Sequence, residues 1–116
     1  MKEICVRNSI VCNKCGDEIV SEYAHDFKMC SCGLVGVDGG IGDGYRRLIG
    51  SDYTDTSIVT ASILVVREHL KRNGTTLLKD MDIDWLKNVI IYEEERRPNN
   101  AFLPFYKEEL KLRENE

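Results

Sequence analysis

The chain has 116 residues, of which 42% are hydrophobic and 31% are charged, and its formal net charge is −4. These values are ordinary for a globular domain and exclude a disordered chain, while the acidic balance works against binding of a nucleic-acid backbone, which relies on lysine and arginine. No apolar run approaches the roughly 20 residues that span a bilayer, and the N-terminal sequence lacks the layout of a signal peptide, so we expect a cytoplasmic protein without membrane association.

The first third of the chain is predicted to form short strands beside pairs of cysteines. Apolar and β-branched residues predict strands over 3–11, 18–22 and 34–37. The run from Asp38 to Gly44 contains four glycines in seven residues, which predicts a loop. Short strands that alternate with cysteine pairs are typical of a zinc ribbon.

Two cysteine pairs predict a metal site. Cys12 and Cys15 are separated by two residues, Cys30 and Cys32 by one, and a glycine follows each pair. Two intervening residues let backbone amides point at the sulfurs, and the glycine permits the tight turn of a zinc knuckle. The single residue between Cys30 and Cys32 departs from the common spacing.

Four thiolates are therefore predicted to hold one structural Zn²⁺. An odd total of five cysteines fits poorly with a disulfide scaffold. A closed four-thiolate site also leaves no coordination position for water or substrate, which argues against a catalytic metal. Two alternatives stay open: unmetallated or redox-active thiols, and a mixed site in which His25 or Cys5 replaces one ligand. Core packing is the preferred interpretation of Cys5.

The middle of the chain allows two predictions. Ile, Val and Thr dominate 57–72, and Asn73-Gly74 is a hairpin signal, so we predict a β-hairpin with arms over 63–71 and 75–78. The alternative is a helix over 57–72 that Gly74 closes.

Two helices are predicted at the C-terminal end. Apolar residues recur at helical spacing after Asp80 or Asp82, either of which can cap the helix, and Pro98 stops it. A second helix is predicted from Pro104 to about Arg113. Trp85 lies on the apolar face of the first helix, so we expect it in the core. The charged runs 93–97 and 107–116 are interpreted as solvated helix surfaces.

The predicted fold class is α+β, with a small zinc ribbon and antiparallel β-strands followed by two C-terminal helices. We assign residues 1–56 to the zinc-ribbon-like module. Residues 57–116 are assigned to the hairpin and the helical pair, packed with the first module as one unit.

The glycine-rich loop and its neighbours form a candidate ligand site. Arg46 and Arg47 follow the loop and could hold an anion against its backbone amides. Side chains alternate within a strand, so these two arginines would point to opposite faces, which weakens the prediction of a shared anion site. The candidate ligand-binding residues are His25, Asp38, Gly39, Gly40, Arg46 and Arg47.

Several of these motifs occur together in a known family. In chain order they are Arg7-Asn8, Cys12-x-x-Cys15-Gly-Asp17, His25-Asp26-Phe27, Cys30-x-Cys32-Gly33, Val37-Asp38-Gly39-Gly40 and Tyr45-x-Arg47. Over residues 5–50 the chain resembles an uncharacterised family of small proteins from phages, prophages and bacteria. Its C-terminal part resembles a helical module of phage accessory proteins, with Trp85 in place of the expected histidine. The resemblance implies a bacterial cytoplasmic setting and no assigned activity.

The sequence thus predicts a binding protein that is not an enzyme. The resemblance favours a phage-derived protein that binds or inhibits a host protein, for example one of a defence system. A protein that binds or sequesters a nucleotide or other anion is the alternative. A nucleic-acid-binding zinc ribbon is a further alternative that the net charge disfavours. A homo-oligomer is compatible with all three.

Overall fold

The chain has an α+β architecture, as predicted. The computed structural model describes residues 2–22, 26–42, 46–72 and 74–115. Its contacts separate two compact units. The β unit comprises Ile4–Val59, and the helical unit comprises Thr60–Glu116 together with Met1–Glu3.

The β unit is built from short antiparallel strands. Those in the described residues are β1 (Ile4–Cys12), β2 (Glu18–Ser21), β3 (Lys28–Met29), β4 (Gly36–Gly39), β5 (Arg46–Ile49), β6 (Tyr53–Asp55) and β7 (Ile58–Thr60). One sheet has the order β2-β1-β6, with β7 also paired to β1, and a second has the order β3-β4-β5. The three predicted strands agree with β1, β2 and β4 to within one or two residues at each end.

Two cysteines belong to the small core of the β unit. This core comprises Ile10, Cys12, Cys30, Val35 and Val37, with Ile19, Leu48 and Tyr53 packed against it. Cys12 lies at the end of β1 and is fully buried. A core of this size buries little apolar surface, so cross-linking by a metal would add stability that packing does not provide.

The predicted loop from Asp38 begins later in the structure. Strand β4 continues through Gly39, where Asp38 pairs with Arg47 and Gly39 with Arg46. Gly39 has a φ of 65°, a conformation that glycine adopts without strain, so the strand continues into the glycine-rich run. Gly42 then pairs with Cys5 through two backbone hydrogen bonds of 2.8 Å. The rest of this run, residues 43 and 44, lies outside the described residues.

The prediction of a long hairpin arm over 63–71 is wrong. This segment forms helix α1 (Ile63–His69), and the hairpin keeps only β8 (Lys71–Arg72) and β9 (Thr76–Leu77). Val66 and Leu70 are buried, whereas Glu68, which a strand would place on the same face, is exposed. Packing of α1 against the rest of the helical unit therefore overrides the strand preference of its β-branched residues.

The two predicted C-terminal helices are confirmed. Helix α2 (Ile83–Arg96) follows a 3₁₀ turn over Leu78–Asp80, and helix α3 (Leu103–Glu114) packs against it. Asp82 caps α2 by accepting a hydrogen bond of 2.8 Å from the backbone amide of Asp84. Among the described residues, no helix combines the length and apolar character needed to cross a membrane.

Three side chains of these helices differ from their predicted environments. Trp85 is half-buried and does not belong to the core. Glu93 and Glu109, predicted on solvated surfaces, have fully buried side chains. Each carboxylate is compensated by arginines, which is what allows a charge to be buried.

Candidate metal centre

The first cysteine pair forms a turn at the end of β1. The amide of Gly16 donates to the carbonyl of Cys12 at 2.9 Å, and Gly16 has a φ of 80°. This left-handed conformation strains any residue with a Cβ, which explains the glycine. The turn places the amide of Cys15 3.5 Å from the Sγ of Cys12. Such an amide stabilises the thiolate form of the sulfur.

The second pair forms an equivalent turn before β4. The amide of Gly33 donates to the carbonyl of Cys30 at 3.0 Å, and Gly33 has a φ of 74°. The amide of Val35 lies 3.5 Å from the Sγ of Cys30. The single residue between Cys30 and Cys32 therefore still produces a turn that aims a backbone amide at sulfur.

The two turns bring four sulfur atoms together. The Sγ atoms of Cys12, Cys15, Cys30 and Cys32 all lie within 4.8 Å of one another. The Sγ of Cys32 lies 3.7 Å from that of Cys12 and 3.5 Å from that of Cys30. Four thiolates bound tetrahedrally at about 2.3 Å from one ion would lie about 3.8 Å apart. The cluster can therefore hold a metal ion, and its separations are far too long for disulfides.

Asp17 links the two cysteine turns by hydrogen bonds. Its Oδ2 accepts a hydrogen bond of 2.8 Å from the amide of Ser31, while its carbonyl accepts one of 2.9 Å from the amide of Cys12. The hydrogen bonds from Ser31 lower the pKa of Asp17, so the carboxylate stays ionised. The role of Asp17 is not apparent from the sequence, because its partner Ser31 lies 14 residues further along the chain.

The second turn separates the acidities of its two thiols. The amide of Val35 is the main cause that lowers the pKa of Cys30 to about 6. The amide of Leu34 lowers the pKa of Cys32, but the other three thiols and partial burial outweigh it and raise that pKa to about 12. A bound cation would favour the thiolate form of Cys32, because a thiol that ligates a metal must be deprotonated.

The alternative metal ligands differ in their placement. Cys5 lies buried in β1, outside the cluster, and its thiol donates to the carbonyl of Arg7 at 3.3 Å. Burial raises the pKa of Cys5, which keeps it a neutral thiol. His25 lies outside the described residues. The Oδ2 of the adjacent Asp26 accepts a hydrogen bond of 2.8 Å from the amide of Glu22.

Arg46 is held by internal partners of the β unit. Its Nε donates to the Oδ1 of Asn8 at 2.6 Å, and its Nη2 donates to the Oδ1 of Asp55 at 2.7 Å and to the Oγ of Ser57. Asn8 is fully buried and in turn donates to the carbonyls of Asp38 and Gly39. These bonds tie β5, β1 and β4 together.

Gly40 makes this network sterically feasible. A Cβ at Gly40 would lie 2.9 Å from the side chains of both Arg46 and Asn8, and the residue has a φ of 93°. Gly39, Gly40 and Arg46 are thus brought together with Asn8, which was not among the candidate ligand-binding residues. The carboxylate of Asp38 is separate from this network: its Oδ1 is buried and accepts no hydrogen bond within the described part of the chain.

Arg47 does not converge with Arg46 on one ligand site. Arg47 is exposed, and its guanidinium carbon lies 5.9 Å from the centroid of the Phe27 ring. The side chain of Arg46 is directed at Asn8, Asp55 and Ser57 instead. Anion binding by the two arginines together receives no geometric support from this arrangement.

One protein-family model matches the segment that contains the clustered cysteines. The family model described as Domain of unknown function (DUF7695) matches residues 4–50. This range contains the four clustered cysteines together with Asn8 and Arg46, and it nearly coincides with the resemblance found over 5–50. No curated protein and no solved structure matches the chain. Over residues 4–50 the chain is therefore similar to the DUF7695 family, for which the description gives no function.

Proposed function

We propose that the chain is a zinc-stabilised binding protein without catalytic activity. The observation that carries the zinc assignment is the cluster of four Sγ atoms within 4.8 Å of one another. An all-thiolate tetrahedral site favours zinc or iron, and the two cysteine turns are the usual frame of a structural zinc site. Four protein ligands fill the tetrahedron and leave no open position for a substrate. The metal would therefore act on folding.

Metal analysis tests this assignment. Protein purified without chelator or oxidant is expected to contain about one zinc per chain, because four thiolates saturate one tetrahedral ion. Inductively coupled plasma mass spectrometry together with a thiol titration gives the ratio. A zinc content near zero would contradict the proposal, and stoichiometric iron would contradict the choice of metal.

We further propose that the β unit carries a protein-binding surface for a host protein. The register aligns Met29, Gly36 and Ile49 across the three-stranded sheet, and the side chains of Met29 and Ile49 cover Gly36. Val37 follows Gly36 in β4 and points into the core. Because side chains alternate along a strand, Met29 and Ile49 lie on the opposite, outer face of the sheet. Phe27 extends this apolar surface and is 49% exposed.

The resemblance to phage and prophage proteins supports a bacterial host protein as the partner. An exposed aromatic ring with a guanidinium beside it is a combination enriched at protein interfaces. The acidic net charge disfavours the nucleic-acid alternative. Inhibition of a defence component would be one outcome of such binding.

Replacing Phe27 tests this surface. Affinity purification from a bacterial host lysate is expected to recover a partner with the parent protein, and Phe27→Asp is expected to weaken its binding at least tenfold, since an aromatic anchor often contributes about 2 kcal/mol. Val59→Asp is a matched control, because Val59 is an exposed apolar residue of β7. Equal binding by parent and Phe27→Asp at unchanged zinc content would contradict the proposed surface.

A further inference from the structure

A polar and aromatic hollow opens on the helical unit. It has a volume of about 340 Å³ and is lined by Arg72, Trp85, Asn88, Val89, Tyr92 and Arg97. Its volume lies within the range of about 300–1,000 Å³ that is usual for small-molecule sites. Four of the lining residues are on α2 at the spacing of a single helix face, so one rigid element presents most of the hollow.

A buried carboxylate positions the two arginines of the hollow. Glu93 has no exposed side-chain surface, and its Oε1 lies 3.3 Å from the Nη1 of Arg72, while its Oε2 lies 3.2 Å from the Nε of Arg97. Asn100 donates to the same Oε2 at 2.9 Å. Burial works to raise the pKa of Glu93, but Asn100 and the arginines hold it below the usual value, so the carboxylate stays ionised.

The hollow therefore has an excess of positive charge. One carboxylate is shared between two guanidinium groups, and the side chains of Arg72 and Arg97 remain 22% and 62% exposed. Arg96 adds a third guanidinium nearby, 4.9 Å from the centroid of the Tyr92 ring. In a chain with a net charge of −4, such a local excess attracts anions. Guanidinium groups bind phosphate in particular through paired hydrogen bonds.

The same hollow offers planar surfaces. Trp85 is half-buried, and Tyr92 of the same helix is 43% exposed. Nucleobases stack on such rings, with about 1–3 kcal/mol per base in single-stranded nucleic-acid complexes. Asn88 is exposed between the two rings along α2, where its amide can pair with the edge of a base. Val89 contributes a buried apolar floor.

We propose that this hollow binds a nucleoside phosphate. The base stacks on Trp85 or Tyr92, and the phosphate pairs with Arg97 and Arg72, whose guanidinium groups Glu93 has already oriented. Orientation before binding reduces the entropy lost when the ligand is fixed. The alternative is that these residues form an ordinary solvated helix end. Such a surface would require neither a buried carboxylate that orients its arginines nor two accessible aromatic rings. This site is separate from the zinc site and does not depend on its metal.

Tryptophan fluorescence and isothermal titration calorimetry test the proposal with AMP and GMP as probes. Trp85 is the single tryptophan of the chain, so its quenching reports directly on the hollow. We expect saturable quenching and a Kd below about 1 mM. Arg97→Ala is expected to weaken binding at least about tenfold, because it removes charge-assisted hydrogen bonds. Arg97→Lys keeps the charge but loses the paired geometry, so its affinity should lie between those of the parent protein and Arg97→Ala.

Lys87→Ala is the matched control, since Lys87 is an exposed cation of α2 that does not line the hollow. It should bind AMP and GMP like the parent protein. No saturable response from the parent, binding of inorganic phosphate as tight as that of AMP, or unchanged binding by a folded Arg97→Ala protein would each overturn the proposal. A loss of binding by Lys87→Ala equal to that by Arg97→Ala would also overturn it, because only net charge would then matter.

Discussion

Replacing Cys12 or Cys30 by serine is expected to abolish stoichiometric zinc binding and to unfold the β unit. Both sulfurs belong to the cluster of four cysteine sulfurs, and both residues belong to the five-residue core of that unit. Structural zinc sites contribute an apparent free energy of about 10–16 kcal/mol at neutral pH, whereas a whole domain is stable by about 5–15 kcal/mol. The free energy of folding that is lost with the ion would therefore exceed the stability that a core of this size can supply.

Hydrogen exchange measured by mass spectrometry can follow each unit separately. Peptides from 4–59 should lose protection in Cys12→Ser and Cys30→Ser, and the parent should behave the same way after treatment with a chelator. Cys5→Ala is the matched control, because Cys5 is buried in the same unit but lies outside the cluster. It should retain about one zinc per chain. Full zinc retention by Cys12→Ser would show that the ligand set is wrong.

The cluster of four cysteines was the most predictable part of the molecule. A cysteine turn needs only a few consecutive residues, so Cys12-x-x-Cys15-Gly16 carries nearly all the information about its own shape. The positive φ of Gly16 and Gly33 agrees with this local reasoning. How the two turns meet depends on the strands between them, and the contribution of Asp17 becomes apparent only when Ser31 is beside it.

Helix α1 shows where local preference fails. Its sequence from Ile63 to Val66 has strong strand propensity, yet it is helical, which buries Val66 and Leu70 in the helical unit and leaves Glu68 between them exposed. Arg67 adds a constraint that no short segment reveals, since it pairs with Glu109, 42 residues further along the chain. Propensity is a weak guide where such tertiary contacts decide the outcome.

The buried charges were the least predictable feature. Glu93 stands within a run of charged residues that resembles a solvated helix face. Its burial becomes favourable because Arg72, 21 residues earlier, joins Arg97 and Asn100 around the carboxylate. Arg46 likewise meets Asn8 across 38 residues. The adjacent Arg46 and Arg47 are visible in the sequence as a pair, whereas Arg72 and Arg97 are brought together only in the folded chain, by Glu93.

Glu109→Ala is expected to destabilise the helical unit by about 3–5 kcal/mol, the usual cost of removing one partner from a buried ion pair. Glu109 is fully buried and accepts hydrogen bonds from Arg67 at 2.8 and 3.0 Å and from Arg113 at 2.7 Å. Arg113 also donates to the carbonyls of Leu78, Lys79 and Met81. Without the carboxylate, two guanidinium groups face each other across a cavity, and the contacts that join α3 to the 3₁₀ turn weaken.

Urea denaturation followed through Trp85 reports on this unit, because the single tryptophan lies in α2. Glu108→Ala is the matched control: its carboxylate is 37% exposed and lies 3.5 Å from Lys111, so its removal should cost less than about 1 kcal/mol. Glu109→Gln keeps the shape but not the charge and should be destabilised less than Glu109→Ala. If Glu109→Ala and Glu108→Ala had the same midpoint, Glu109 could not be the carboxylate that joins α1 to α3.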